Sequence, residues 1–329
     1  MSVRYKEIPM LCRTASDLFW MGRAVERAES MARLLDLSRR LAALPGSRSA
    51  QTGNTVWALP LLATGSIPPG IAGDDMKPAE MLSQCVLDRE NPSSVLACVQ
   101  LARDAARNQR SVVPAEVVAP LQLMLSKMRT LKRQHLVNGG LGHVISAIMA
   151  FSDAFRGVTF ATMLRSEPWH FLRLGTFLER ADGSVRMWTT QADPEFSLVR
   201  DGPDSPHAAF HRVAMLESAS ALMPLRRLHG EPNRKGVTDM LLRRQDFPRS
   251  ASYCLIEAQK ALASLQVTPS EPTSRLVGKA LAGVSYLEPK EDAESMFAFG
   301  AARQFDIYAA EAAVDERFFV AKTPLRRAA

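Results

Sequence analysis

Two short stretches of this 329-residue chain hold the side chains with the most chemical reach. In the first, Gly22 is followed by Glu26, Arg27, Glu29 and Arg33; in the second, Gly175 is followed by Glu179, Arg180, Asp182 and Arg186. On a helix turning about 100° per residue, with Gly22 at zero, Glu26 falls near +40°, Glu29 near −20° and Arg33 near +20°. Gly175, Glu179, Asp182 and Arg186 make the same stripe. Arg27 and Arg180 fall at about +140°, away from it.

Three chemistries fit such stripes. The first is structural: Glu29–Arg33 and Asp182–Arg186 have the favourable i, i+4 order for ion pairs. In that reading the two glycines let another backbone come close, and the stripes face each other as a charged network. The second is a divalent-cation site of four carboxylates, Glu26, Glu29, Glu179 and Asp182. Carboxylate-bridged helical bundles use Glu-x-x-His for this, and no histidine stands at position 29 or 182. Arginines within the stripe also repel a cation, so no metal is expected. The third is an anion site, in which Arg27, Arg33, Arg180 and Arg186 hold a phosphate or carboxylate through guanidinium forks.

Other candidates are weaker. His207 and His211 are four apart, a spacing zinc sites use, but no third ligand is visible. His170, beside Trp169, reads as packing. No Gly-rich phosphate loop, nucleophile elbow or C-x-x-C pair occurs, so no cofactor is expected and no catalytic set is recognised.

The elements that must carry the stripes are helices. Leu18, Met21, Val25, Ala28, Ala32 and Leu35 step by three and four, as do Phe171, Leu174, Leu178, Ala181, Val185 and Trp188. The two motifs match at a constant offset of 153 residues (175 − 22). A second match, Pro92–Cys98 with Pro248–Cys254, has an offset of 156 (248 − 92) and repeats proline, serine and cysteine in place. A tandem duplication accounts for both. The chain is therefore read as all-α, a helical bundle of two similar modules over residues 1–160 and 161–329 that form one continuous domain.

Helices are expected near 15–43, 94–109, 115–133, 141–155, 169–190, 207–228, 250–264, 273–281 and 292–321. Asn91 is expected as a cap ahead of Pro92 in a first helical turn. Pro68-Pro69-Gly70 breaks the first module within a looser stretch, 46–75, that matches no pattern.

Composition narrows the classes further. Aromatic residues make up 7% of a chain that is 47% hydrophobic, which favours helix over strand. The longest apolar runs, such as Val144–Phe151, fall short of the roughly 20 residues a membrane span needs. No apolar signal region follows Met1–Lys6, so a cytoplasmic location is expected. Cys12, Cys85, Cys98 and Cys254 show no close pairing and read as buried, reduced thiols. A net charge of +7, with pairs such as Arg226-Arg227 and Arg243-Arg244, reads as a solvated basic face; nucleic-acid binding is the weaker alternative.

The segments Met10–Leu37, Asn91–Arg110, Phe155–Asp182 and Phe247–Leu255 together resemble the bacterial alpha-E family, an all-helical family named for its Glu-Arg motif. Here Glu26-Arg27 and Glu179-Arg180 stand as that motif. The resemblance implies company with circularly permuted ATP-grasp proteins and transglutaminase-like proteins, hence a system that makes or breaks amide bonds on peptides. It implies a helical accessory or binding protein of that system, taking a peptide or anionic ligand. An enzyme acting on a peptide or amide through the Glu/Arg stripes is the alternative.

Overall fold

In the computed structural model the first apolar seam lies on a helix, α1 (Cys12–Ala42), with all six of its side chains buried. The structure describes residues 12–43, 55–67, 76–137, 139–192, 205–290 and 292–320. These residues hold thirteen helices and no strand, and the chain is all-α.

After α1 come α2 (Thr55–Thr64), α3 (Pro78–Val86), α4 (Val95–Asn108), α5 (Ala115–Thr130), α6 (Leu141–Thr162) and α7 (Glu167–Thr189). Then follow α8 (Pro206–Ser218), α9 (Leu222–His229), a short α10 (Arg234–Thr238) running into a π turn over Asp239–Arg243, α11 (Ala251–Ser264), α12 (Pro272–Tyr286) and α13 (Ala293–Phe318). Helix α7 carries the second seam, again wholly buried.

The two motif helices are the axis of the fold. Helix α1 packs most heavily on α7, and the contacting residues advance together, Gly22 on Leu172, Glu26 on Arg180 and Ser30 on Gly183, so the helices run in the same direction. Around this pair, α4 and α6 lie on α1, while α11 and α13 lie on α7. Helix α5 bridges α4 and α6; α12 bridges α11 and α13. Helix α1 is thus covered on several sides, which is why polar residues on it are buried beside apolar ones.

Two glycines set the closeness of the pair. A Cβ at Gly22 would strike the Leu172 carbonyl oxygen, and one at Gly175 the Phe19 carbonyl oxygen, both far inside contact distance. The obstacle in each case is backbone, so neither side can give without moving a helix.

Several expectations are corrected. The segment 207–228 is two helices, because Ser220 takes a left-handed φ of 58° between α8 and α9. Helix α6 runs a further seven residues past Phe155. By length and a mean hydropathy of 1.3 it is long and apolar enough to cross a membrane, contrary to the count of apolar runs. In the fold it packs Ile145, Ile148 and Phe155 inward and holds a charged residue of the centre described below.

Helix α4 begins after Pro92: Ser94, not Asn91, caps it by accepting from the Ala97 N–H, while Asn91 accepts from the Ser93 N–H in the preceding turn. Ser250 caps α11 in the same way, accepting from Tyr253. The Cys98 and Cys254 thiols donate to the Pro92 and Pro248 carbonyls at 3.4 and 3.6 Å. Cys12 is exposed rather than buried; Cys85, Cys98 and Cys254 are buried and unpaired. Residues 55–67 contain α2, unforeseen in the loose stretch, while Pro68-Pro69-Gly70 lies outside the described residues.

Candidate functional site

The carboxylates of the two stripes are each nearly sealed from water: Glu29 is 1% exposed, Glu26 2%, Glu179 4% and Asp182 4%. A carboxylate in that position needs ionic hydrogen bonds to remain charged. The partners come first from the opposite helix. Arg27 of α1 donates from Nε and Nη2 to Glu179 of α7, at 2.6 and 2.9 Å. Arg180 of α7 donates from Nε to Glu26 of α1 at 2.9 Å, and from Nη2 to its other oxygen. Each Glu-Arg dipeptide thus pairs with the other.

This corrects the helical wheel, which turned Arg27 and Arg180 away from the stripes. Where two helices approach at glycines, a long guanidinium stem leaving the flank of one reaches the face of the other. The intrahelical pairs also form: Arg33 binds Glu29 at 2.7 Å and Arg186 binds Asp182 at 2.6 Å.

Two centres result, with opposite surroundings. In the first, Glu26 and Glu29 are met by Arg180 and Arg33, and also by Arg156 of α6 and Arg249, just ahead of the α11 cap. The Ser152 hydroxyl adds a bond to Glu29 at 2.6 Å. Arg33 also donates from Nη1 to the Ser218 carbonyl at 2.6 Å, tying α8 to the centre. Burial would push both carboxyls up, but Arg180 holds Glu26 below the usual range, and Arg249, Arg33 and Arg156 hold Glu29 well below it. The surplus is positive. Burial, with Arg33 and Arg180 nearby, brings Arg249 down to about 10 despite Glu29.

In the second centre, Glu179 and Asp182 are met by Arg27 and Arg186, and by Arg23, whose Nε donates to Glu179 at 2.7 Å. Here α13 contributes an acid. Glu311 lies 2.8 Å from Arg23 Nη2, yet the pair is poorly aligned and its Oε1 accepts no hydrogen bond. Asp182 Oδ1 is likewise buried without a partner. Burial opposes ionisation of Glu179, but Arg27 and Arg23 bring it to about 2. Burial raises Asp182 more than Arg186 lowers it. Burial, with Glu179 and Asp182 adding to it against Arg23, lifts Glu311 to about 8.

Arg23, Arg156, Arg249, Ser152 and Glu311 were not foreseen. Only Arg249 carried a sequence signal, since it interrupts the Pro-Ser-Ser of the second match where Ser93 stands in the first. The others sit on helices whose faces the pattern does not assign to a partner.

The remaining candidates fall outside the centres. His211 is buried, which lowers it to about 4, and His170 is half-buried and lowered by burial and Arg173. Among the described residues no three His, Cys, Asp or Glu side chains converge on a metal-sized site. The four stripe carboxylates are each occupied by guanidinium groups, so the donor set does not fit a cation.

A helical scaffold closed by two buried arginine–carboxylate centres is the class of protein these features define. The chain belongs to the Alpha-E family, described as a predicted alpha-helical domain with a conserved ER motif, over residues 10–319. It is similar to Uncharacterized protein Rv2567 of Mycobacterium tuberculosis (strain H37Rv), at 27% identity over 274 residues, covering 77% of this chain and 30% of that protein. Uncharacterized protein Mb2597 of Mycobacterium bovis matches with the same identity and coverage. The chain spans under a third of the length of these relatives. No solved structure matches the chain significantly.

Proposed function

We propose that this protein is a helical accessory component of a cytoplasmic system that makes or breaks amide bonds on peptides. Its partners are an ATP-grasp-type protein and a transglutaminase-like protein, and it binds the former or its peptide substrate. The carrying observation is the state of the motif: both Glu-Arg pairs are spent on each other across the α1–α7 contact, with Glu26 and Glu179 held ionised below the usual carboxylate range. A general base works best with a pKa near the working pH, so neither glutamate is tuned for that role. The length of the relatives also supports partnership, because the matched region there is continuous with much additional sequence.

We infer with this that residues 1–160 and 161–329 are tandem copies of one module within one domain. The constant offset and the reciprocal contacts of Gly22 and Gly175 support that reading.

Mixing the purified chain with the ATP-grasp-type protein of the same genome, followed by size exclusion with light scattering, tests the proposal. A complex, strengthened by ATP or peptide, is expected. No association under any of these conditions overturns it.

A further inference from the structure

The two flanks of the α1–α7 pair are not filled alike. On one flank, Arg23 extends over the Trp20 ring, 4.8 Å from its centroid, and ends on Glu179 and Glu311. At the same offset of 153 residues, the place of Arg23 on the other flank is taken by Thr176 (176 − 23). A short side chain stands there in place of a long one. Beside Thr176 lies a cavity of about 150 Å³ between α1, α6 and α7.

Its walls divide by chemistry. Phe155, Trp169 and Leu172 make an apolar side, with Phe160, 66% exposed, among its lining residues. The charged side has Arg156, Arg173 and Arg180 against the single carboxylate of Glu26. Arg156 and Arg180 are engaged with Glu26, and Arg156 also with Glu29 and Asp153. Among the described residues Arg173 makes one hydrogen bond, from Nη2 to Glu257 at 2.9 Å, and its guanidinium carbon lies 4.1 Å from the centre of the Phe177 ring. Thr159, 2% exposed, also lines the cavity and its hydroxyl has no hydrogen-bond partner.

Three guanidinium groups against one carboxylate in the lining favour an anion, and the planar fork of Arg173 selects a carboxylate geometry. Aromatic walls select an apolar body. A cavity of about this volume has room for one benzene-sized group. We propose that this cavity is a binding site for a small carboxylate with a compact apolar body, its carboxylate on Arg173 and its body against Phe155, Trp169 and Leu172. The site goes beyond the accessory role and does not rest on it, since a ligand can bind whether or not a partner protein does.

Calorimetric titration of the purified chain with benzoate tests this, with benzamide and inorganic phosphate as controls. Benzoate is expected to saturate, with both controls at least tenfold weaker. Thr176→Arg, which places on this flank the residue that occupies the other, is expected to abolish binding. Arg173→Gln should weaken it at least tenfold, and Phe160→Ala severalfold. Phe160 is exposed, so its variant should keep the melting temperature of the parent and isolate binding from folding. A phenylalanine-terminated tripeptide and its C-terminal amide separate a peptide terminus from a free acid. Binding of the tripeptide acid over its amide identifies the former, and binding of benzoate alone the latter, each supporting the site. No saturable benzoate binding, equal binding of benzamide or phosphate, or benzoate binding unchanged in both Thr176→Arg and Phe160→Ala overturns it.

Discussion

The two arginine–carboxylate centres share a motif and differ in what surrounds it. Around Glu26 and Glu29 the neighbouring elements supply further cations, Arg156 from α6 and Arg249 ahead of α11. Around Glu179 and Asp182, α13 supplies an acid, Glu311. Burial then weighs most on the group with the least pairing. In the first centre it falls on Arg249, brought down to about 10, and in the second on Glu311, lifted to about 8. The motif fixes a reciprocal bond across two helices; the flanking elements decide which charged group is left least paired.

The largest test of that contrast is removal of one carboxylate from each centre. Glu29→Ala leaves Arg33, Arg156 and Arg249 facing one another in a largely buried space, and should lower unfolding free energy by about 3–5 kcal/mol in urea titrations. Asp182→Asn removes a charge that burial already disfavours and keeps an acceptor for Arg186. It should change stability by no more than about 1 kcal/mol. Equal losses in both would erase the difference.

Next in size are the glycines, where the centres should behave alike. Gly22→Ala and Gly175→Ala each drive a methyl group into the backbone of the other helix and should cost about 1–3 kcal/mol or more. A large loss at one position only would show that the helix pair is not closed from both sides.

A smaller effect appears in pH. The Glu311 carboxyl has an ordinary value of 4.5 and a folded value of about 8, so between these the folded state holds a proton that the unfolded chain has lost. Its contribution is complete below about pH 4.5 and declines as pH rises to 8. The folded value already includes the opposing pull of Arg23, so the decline reflects burial together with Glu179 and Asp182. Glu179, at about 2, acts the other way and loses its contribution as pH falls from 4.5 to 2. Melting curves should therefore show a decline on both sides of mildly acidic pH. Glu311→Gln should flatten the alkaline side and leave the acid side in place. An unaltered alkaline slope in that variant would show that Glu311 is not the group held protonated in the second centre.

Much of this scaffold was legible in the order of residues. The three-and-four stepping of the seams placed both motif helices, and their side chains are buried as the stepping requires. The Glu29–Arg33 and Asp182–Arg186 pairs follow from spacing on one helix, where residues four apart are neighbours whatever lies outside. Arg23 and Arg156 were not legible, because a lone arginine on a helix has the same pattern whether it faces water or a buried acid. Ser220 was missed for a similar reason: nothing marks a serine for a left-handed turn inside a stretch free of glycine and proline. Wheel geometry misled at Arg27 and Arg180, since it tracks where a side chain starts and not how far a guanidinium reaches.

The sequence by itself determined the helical class, the two motif helices and the local ion pairs, because these depend on neighbours within about one helical turn. Only the tertiary structure decided that Arg27 meets Glu179 and Arg180 meets Glu26, that α6 and α13 bring opposite charges, and that a cavity opens beside Thr176. Those outcomes rest on how closely two distant helices approach. Glycine permits the approach, but the packing of every surrounding helix sets it.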